Sequence, residues 1–341
     1  AAITDPGTDL EREARDRGFR ALFHAPEDVG GRFSALTVFG LVPAALCGVD
    51  PELLLTSAAE AFARCLPEVP VGENPAAVLG AAIGEAALAG RDKLTLHAPE
   101  ELAPFGAWLE QLIAESTGKQ GRGILPVVGE PRTEELGNDR LVVAMGEPAG
   151  LAPAVEVSFD RAADLGGLFF VWELATAIAG GILGITPFDQ PNVQEAKDRT
   201  TAVLQRGVAG DVQRGSLDDL LHGLRPWDYV AIQAYVDPKP EIHEQLQAVR
   251  GRILDKTGVT TTLGFGPRYL HSTGQLHKGG PPSGVFVQVF DPPTRDRAIP
   301  GRDLSFGDLI AAQAAGDLES LRALGRRVAR VAMEDLLTWP G

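Results

Sequence analysis

The sequence predicts an α/β protein: a doubly wound parallel sheet followed by a smaller C-terminal α/β unit. Short apolar runs of strand length alternate with longer stretches whose apolar residues recur at helical spacing, the pattern of a parallel sheet covered by helices. Gly, Pro, Asn and Asp punctuate the joints between them. The chain has 341 residues, 44% of them hydrophobic, enough for two or three packed subdomains.

In chain order, Ala2–Thr4 and Arg20–His24 read as strands around a helix at Asp9–Arg17. Helices follow at Phe33–Gly48 and Pro51–Cys65, and a third starts at Asn74-Pro-Ala and runs to Ala89, with Asn as its cap and Pro in its first turn. Lys93–His97 is a strand, Glu100–Ser116 a helix, and Ile124–Val128 a strand ending at Gly129-Glu130-Pro131. Leu141–Met145 and Val155–Ser158 continue the sheet, and Asp164–Leu183 is a mostly buried helix. A linker is expected at Gly207–Gly215, where apolar periodicity lapses. Beyond it come strand Tyr229–Tyr235, helix Pro240–Thr257, strand Thr260–Gly264, a Gly/Pro-rich loop Gly274–Gly284, strand Val285–Phe290, and helices near Phe306–Ala314 and Leu318–Met333. Three divisions result: 1–92, 93–207 and 208–341.

Charge and cysteine usage narrow the function. With 31 basic and 46 acidic residues the net charge is −15, which opposes general binding to nucleic acid or an anionic membrane. An anionic substrate would need a local cluster of cations and helix N-termini. The two cysteines, Cys47 and Cys65, lie in apolar helical patterns and give no disulfide framework, as expected of a reducing cytoplasm. The longest apolar stretch, Leu168–Ile185, is broken by Trp172-Glu173 and several glycines, so no membrane span is expected.

Two segments carry a resemblance. In Phe188-Asp-Gln-Pro-Asn-Val193 through Lys197, Asp189 can cap a new helix and Pro191 fits its first turn, placing Lys197 about 10–12 Å along a rigid axis. In Val29-Gly-Gly-Arg-Phe-Ser-Ala-Leu-Thr37 an arginine follows two glycines. Both resemble signature segments of phosphoglucose isomerases, the first around that family's catalytic lysine and the second around its active-site arginine, and they occur in the family's order. The resemblance implies the sugar-isomerase (SIS) fold, interconversion of glucose 6-phosphate and fructose 6-phosphate through a cis-enediolate, no cofactor, and a homodimer whose site is completed across the interface. Leu263-Gly-Phe-Gly-Pro-Arg-Tyr-Leu-His-Ser-Thr-Gly-Gln-Leu-His-Lys-Gly-Gly-Pro281 and Gly316–Arg322 look like the tail of bacterial proteins that fuse transaldolase in front of the isomerase. This implies an upstream transaldolase and a Ser/Thr-rich phosphate loop in the same polypeptide.

The chemistry needs a base to move a proton between C1 and C2 and positive charge where the enediolate forms. The family's base is a glutamate in Gly-Glu-Pro. Glu130 matches at a strand end, where open α/β sheets bind ligands; Gly146-Glu147-Pro148 repeats the tripeptide, and Glu130 is preferred because it closely follows Glu115-Ser-Thr-Gly-Lys119. Arg32 is the electrophilic candidate, with Gly30 and Gly31 admitting a ligand close to the backbone and a helix starting at Phe33. In Glu115–Lys119, Gly118 reads as a left-handed helix stop, with Ser116 and Lys119 at the lip of the site. Gln190 belongs to the lysine segment and is carried as a substrate contact.

The family's ring-opening histidine is expected near Leu165–Gly167, where none is present. Either Lys197 and another group open the ring, or a histidine comes from elsewhere, with His271 and His277, flanking Thr273–Gly280, as the candidates, or the protein accepts open-chain substrate. They lack zinc spacing, and neither a Gly-x-x-x-x-Gly-Lys-Ser/Thr loop nor a dinucleotide-binding Gly-x-Gly-x-x-Gly occurs, so no metal or nucleotide is expected. Two alternatives stay open beside the isomerase: a non-catalytic sugar-phosphate-binding or scaffolding domain, and an isomerase that also accepts mannose 6-phosphate.

Overall fold

The computed structural model describes residues 1–131, 136–146, 152–159, 162–189, 203–204 and 215–341. Within them the chain forms three sheets, each entirely parallel. Strands β1 (Ala2–Thr4) and β2 (Leu22–His24) form the first, joined through α1 (Asp9–Asp16). Helices α2 (Val38–Leu46), α3 (Pro51–Arg64) and α4 (Pro75–Leu88) follow. Each starts where the side chain of Thr37, Asp50 or Asn74 accepts an otherwise unpaired backbone N–H, and α3 and α4 carry proline in the first turn.

The second sheet contains β3 (Lys93–His97), β4 (Leu125–Val127), β5 (Arg140–Met145) and β6 (Val155–Val157) in the order β4-β3-β5-β6. Helix α5 (Ala103–Thr117) connects β3 to β4, and α6 (Leu165–Leu183) follows β6. The third sheet has β7 (Tyr229–Tyr235), β8 (Thr260–Phe265), β9 (Gly284–Phe290) and β10 (Arg327–Val331) in the order β10-β9-β7-β8. Its helices are α7 (Leu217–His222), α8 (Pro240–Thr257), α9 (Gly274–Gly279), α10 (Phe306–Ala323) and α11 (Met333–Thr338). In both four-stranded sheets the chain places its second strand on one side of the first and then crosses to the other side, so the winding reverses. The expected α/β class with parallel sheets is what the protein has, and the C-terminal unit's sheet has as many strands as the one before it.

Helix α6 is the spine of the second unit. At 19 residues it is long and apolar enough to cross a bilayer, but Trp172 and Ala175 are fully buried with Leu79, Ile83 and Leu109 of α4 and α5. Glycines on α4 permit the approach: a Cβ at Gly80 would lie 2.7 Å from Ala175 O, and one at Gly84 would lie 2.9 Å from Ile182 Cβ. Ala114, Leu125 and Val127 of the second unit pack with Tyr229, Ala231, Leu276 and Phe286 of the third, so one core joins the two sheets.

Several expected elements differ. The helix predicted at Phe33–Gly48 begins at Val38, because Ser34 Oγ donates to Gly31 O and closes a 3-10 turn over Gly31–Phe33. The loop predicted at Gly274–Gly284 contains α9. At the C-terminus α10 continues through Gly316, which is buried inside it, and Arg327-Val-Ala-Arg-Val331 extends the sheet as β10. The linker expected at Gly207–Gly215 lies, as far as residue 214, outside the described residues.

Candidate active site

The turn at Gly31–Phe33 aims Arg32 inward, leaving it 2% exposed. Its Nε donates to Ser116 Oγ at 2.8 Å, and its Nη2 donates to the carbonyls of Pro187 and of Asp189, the latter at 3.0 Å. Its Nη1 stands 3.8 Å from Glu115 Oε2 and has no hydrogen-bond partner. Lys119, also buried, donates from Nζ to Thr186 O at 2.7 Å, to Asp189 O and to the Asp189 carboxylate. The C-terminal end of α5, the Arg32 turn and the Thr186–Asp189 segment after α6 therefore converge on one cluster.

Glu115 completes it. Burial pushes its carboxyl up to about 7, against the opposing pull of Arg32, a 3.4 Å hydrogen bond from Gln111 Nε2, and Lys119. Burial lowers the Lys119 ammonium, opposed chiefly by its hydrogen bond to Asp189. A carboxyl poised near neutrality beside a guanidinium with an unused donor is equipped to move a proton and to stabilise a neighbouring oxyanion.

Of the residues singled out from sequence, Arg32, Ser116 and Lys119 meet here. Gly30 and Gly31 border open space: a Cβ at Gly31 would meet nothing within 4 Å, and one at Gly30 only Phe188 O at 4.0 Å. Gln190, Lys197 and the alternative base Glu147 lie outside the described residues. Gly118 is not left-handed, having φ −73°; glycine is needed because a Cβ would sit 2.4 Å from Leu276 Cα.

Glu130 sits elsewhere. Helix α5 runs antiparallel to the strands it joins, so Glu115–Lys119 precede the start of β4, whereas Glu130 follows its carboxyl end. There Thr261 donates to Glu130 Oε1 from its backbone N at 2.7 Å and from Oγ1 at 3.0 Å, and Arg140 donates to Oε2. Glu130 borders a cavity of about 250 Å3 with Thr95, His97 and Met145, and no residue is shared between its polar contacts and those of Arg32. A larger cavity, about 730 Å3 between α3, α4, β6 and α6, contains none of these candidates.

The histidines are also apart. His271 is exposed at the end of a 3-10 turn. His277 is 3% exposed on α9, with Nδ1 3.2 Å from Gln233 Nε2 and Tyr229, Tyr269 and Phe286 around its ring. Burial drives its pKa down to about 3, so it stays neutral at physiological pH. At Gly166, where the family's histidine was expected, a Cβ would lie 1.8 Å from Leu54 O, because α6 crosses α3 too closely for a side chain. Among the described residues no group of three His, Cys, Asp or Glu could hold a metal ion.

Glu115 was missed in the sequence reading, though a signal was present: Glu115 and Lys119 are four residues apart, the spacing that brings two side chains onto one helical face.

Fold and site together describe an α/β protein with parallel sheets and a buried Arg-Lys-Glu cluster whose carboxyl is poised for proton transfer. Comparison with known proteins agrees in part. The chain is 29% identical to the glucose-6-phosphate isomerase of Rubrobacter xylanophilus, over 60% of this chain and 59% of that protein. It is 32% identical to a probable glucose-6-phosphate isomerase of Haloarcula marismortui, over 54% of each. A crystal structure of a glucose-6-phosphate isomerase from Chlamydia trachomatis aligns over 60% of this chain and 52% of that one, with 20% identity and a TM-score of 0.47. No family model matches the chain. Over rather more than half of its length the chain is thus similar to glucose-6-phosphate isomerases, and it spans little more than half the length of these relatives.

Proposed function

We propose that this chain carries the catalytic cluster of a glucose 6-phosphate/fructose 6-phosphate isomerase, with Glu115 as the proton-transferring base. The observation that carries the reading is the Arg32–Glu115–Lys119 cluster: a buried carboxyl raised to about 7 beside a guanidinium whose Nη1 is unpartnered. Glu115 takes the C2 proton of the open-chain aldose and returns it to C1 while the hydroxyl proton passes from O2 to O1. Arg32 Nη1 stabilises the enediolate that forms between the two transfers. The role first given to Glu130 passes to Glu115, because Glu130's oxygens already accept from Arg140 and Thr261. Ring opening is assigned to Lys197, on the resemblance of its segment to the family's catalytic-lysine segment.

The homology to glucose-6-phosphate isomerases supports the substrate class. A homodimer and an upstream transaldolase in the same polypeptide stay part of the proposal, the latter supported by the resemblance of Leu263–Pro281. The test is interconversion by the full polypeptide in deuterated water, followed by NMR. Incorporation of deuterium at C2 of glucose 6-phosphate, with kcat/KM falling as pH drops through about 7, is the expected result. Binding of either sugar phosphate without isomerisation or exchange would favour the scaffolding role.

A further inference from the structure

The Thr273–Gly280 segment, whose flanking histidines stand apart from the Arg32 cluster, touches the end of α5 instead. Helix α9 lies against the turn that carries the site residues. Gln275, 6% exposed, donates from Nε2 to Gly118 O at 2.9 Å, and the Gly121 N–H donates to Gly279 O at 2.9 Å. The fit is close enough to dictate glycine on both sides. A Cβ at Gly118 would lie 2.4 Å from Leu276 Cα, and one at Gly279 would lie 2.5 Å from Gly118 O. Just upstream, Ser272 Oγ donates to Glu110 Oε1 at 2.8 Å, a second tie from this segment to the last turns of α5.

The gripped turn is closed by its own backbone, Lys119 N donating to Arg122 O at 3.0 Å and Arg122 N to Lys119 O at 2.9 Å, so what α9 supplies is the position of the turn as a whole. Gln120 has φ 55° and Gly121 φ 74°, the left-handed pair that a tight two-residue turn requires, and the outward Gly121 N–H is the one that reaches Gly279 O. Lys119 lies inside this turn and Glu115 and Ser116 immediately before it, so their placement depends on where the turn is held.

We propose that α9 of the C-terminal unit is a positioning element for the active site, with Gln275 and Gly279 as positioning residues that act through the Gly118–Gly121 turn on Glu115, Ser116 and Lys119. This rests on the isomerase reading above, so the test separates the two. Gln275→Leu removes the donor to Gly118 O, and Gly279→Ala pushes a methyl against the same carbonyl. Hydrogen exchange in the full polypeptide reads the clamp without reference to activity: amides from Gly118 to Gly121 should exchange about tenfold faster or more, beyond the general loosening that the lost buried contact brings and that Gln288→Leu shares. Steady-state kinetics reads the positioning: kcat should fall roughly 10–100-fold while KM for fructose 6-phosphate changes little, because misplacing the cluster impairs chemistry more than binding.

Gln288→Leu is the comparison variant. Gln288 is equally buried in the same unit but donates to Ala314 O at 3.0 Å, away from the turn, so its loss should lower stability and leave kcat unchanged. Unchanged exchange at 118–121 in both positioning variants would overturn the clamp. Faster exchange with unchanged kcat, or an equal kcat loss in Gln288→Leu, would overturn the positioning role. If the unaltered protein does not isomerise sugar phosphates, the isomerase reading fails and takes the positioning role with it, while exchange still decides whether the clamp exists.

Discussion

Glu115 and Glu130 sit at opposite ends of β4 and differ in how their burial is compensated. Both are nearly buried carboxyls near an arginine. Glu130 accepts from Arg140 and twice from Thr261, while Arg250 Nη1 donates to the carbonyls of Val128 and Gly129 just before it. It fastens the end of β4 to β8 of the next sheet. Glu115 has an arginine only at 3.8 Å and one donor at 3.4 Å, and its carboxyl rises to about 7. A carboxylate supplied with donors is a cross-link; one denied them holds its proton loosely enough at neutral pH to exchange it with a substrate.

The sharpest way to break this comparison is to neutralise each carboxyl in turn. Glu115→Gln should lower kcat by roughly 10²–10⁴, the span associated with a positioned general base, with melting temperature little changed or raised. Glu130→Gln should do the reverse: kcat stays near that of the unaltered protein, and stability falls by about 1–3 kcal/mol because an amide cannot satisfy Arg140 and Thr261 together. Urea denaturation and steady-state kinetics on the same preparations read both effects. An exchange of the two outcomes would return the base to Glu130.

Arg32→Lys should come next, lowering kcat by about 10²–10³. The guanidinium donates at once to Ser116 Oγ and two carbonyls while presenting Nη1 to Glu115, a fork geometry that a single ammonium cannot reproduce. A loss confined to KM would place Arg32 in substrate binding alone.

The sequence disclosed the fold where structure is local and the site where contacts are local. Helix starts were legible at Asp50-Pro51 and Asn74-Pro75 because the cap and its helix are adjacent in the chain. The run of α10 through Gly316 was not, because glycine's cost in an isolated helix is offset here by burial between neighbouring elements. Arg32 and Lys119 were legible as cations in distinctive local segments. What holds them was not: Arg32 reaches carbonyls 155 and 157 residues away, and Gln275 meets Gly118 across 157 residues. The contact that bears on the choice of base is equally remote, because the Thr261 that donates to Glu130 is 131 residues distant. A local motif names the residue type available for chemistry, while tertiary contacts decide whether its lone pairs are free.

Glu173 on α6 sharpens the comparison with the smallest expected effect. Burial pushes its carboxyl up to about 8, and Oε1 has no hydrogen-bond partner, so it resembles Glu115 in being poorly compensated but, among the described residues, has no arginine at its side. With the folded-state pKa raised above the unfolded value of about 4.3, the stability contributed by its neutral form is complete below that value and is lost as pH rises through about 8. Glu173→Gln removes the titration and keeps the shape. Its melting temperature should match the unaltered protein near pH 4, exceed it increasingly as pH rises, and hold a constant lead above pH 8, with kcat unchanged throughout. A lead that fails to grow with pH would show that the carboxyl is compensated in solution. A collapse of kcat would instead draw Glu173 into the same chemistry as Glu115, because a raised carboxyl on a buried helix face costs stability without return unless the reaction uses its proton.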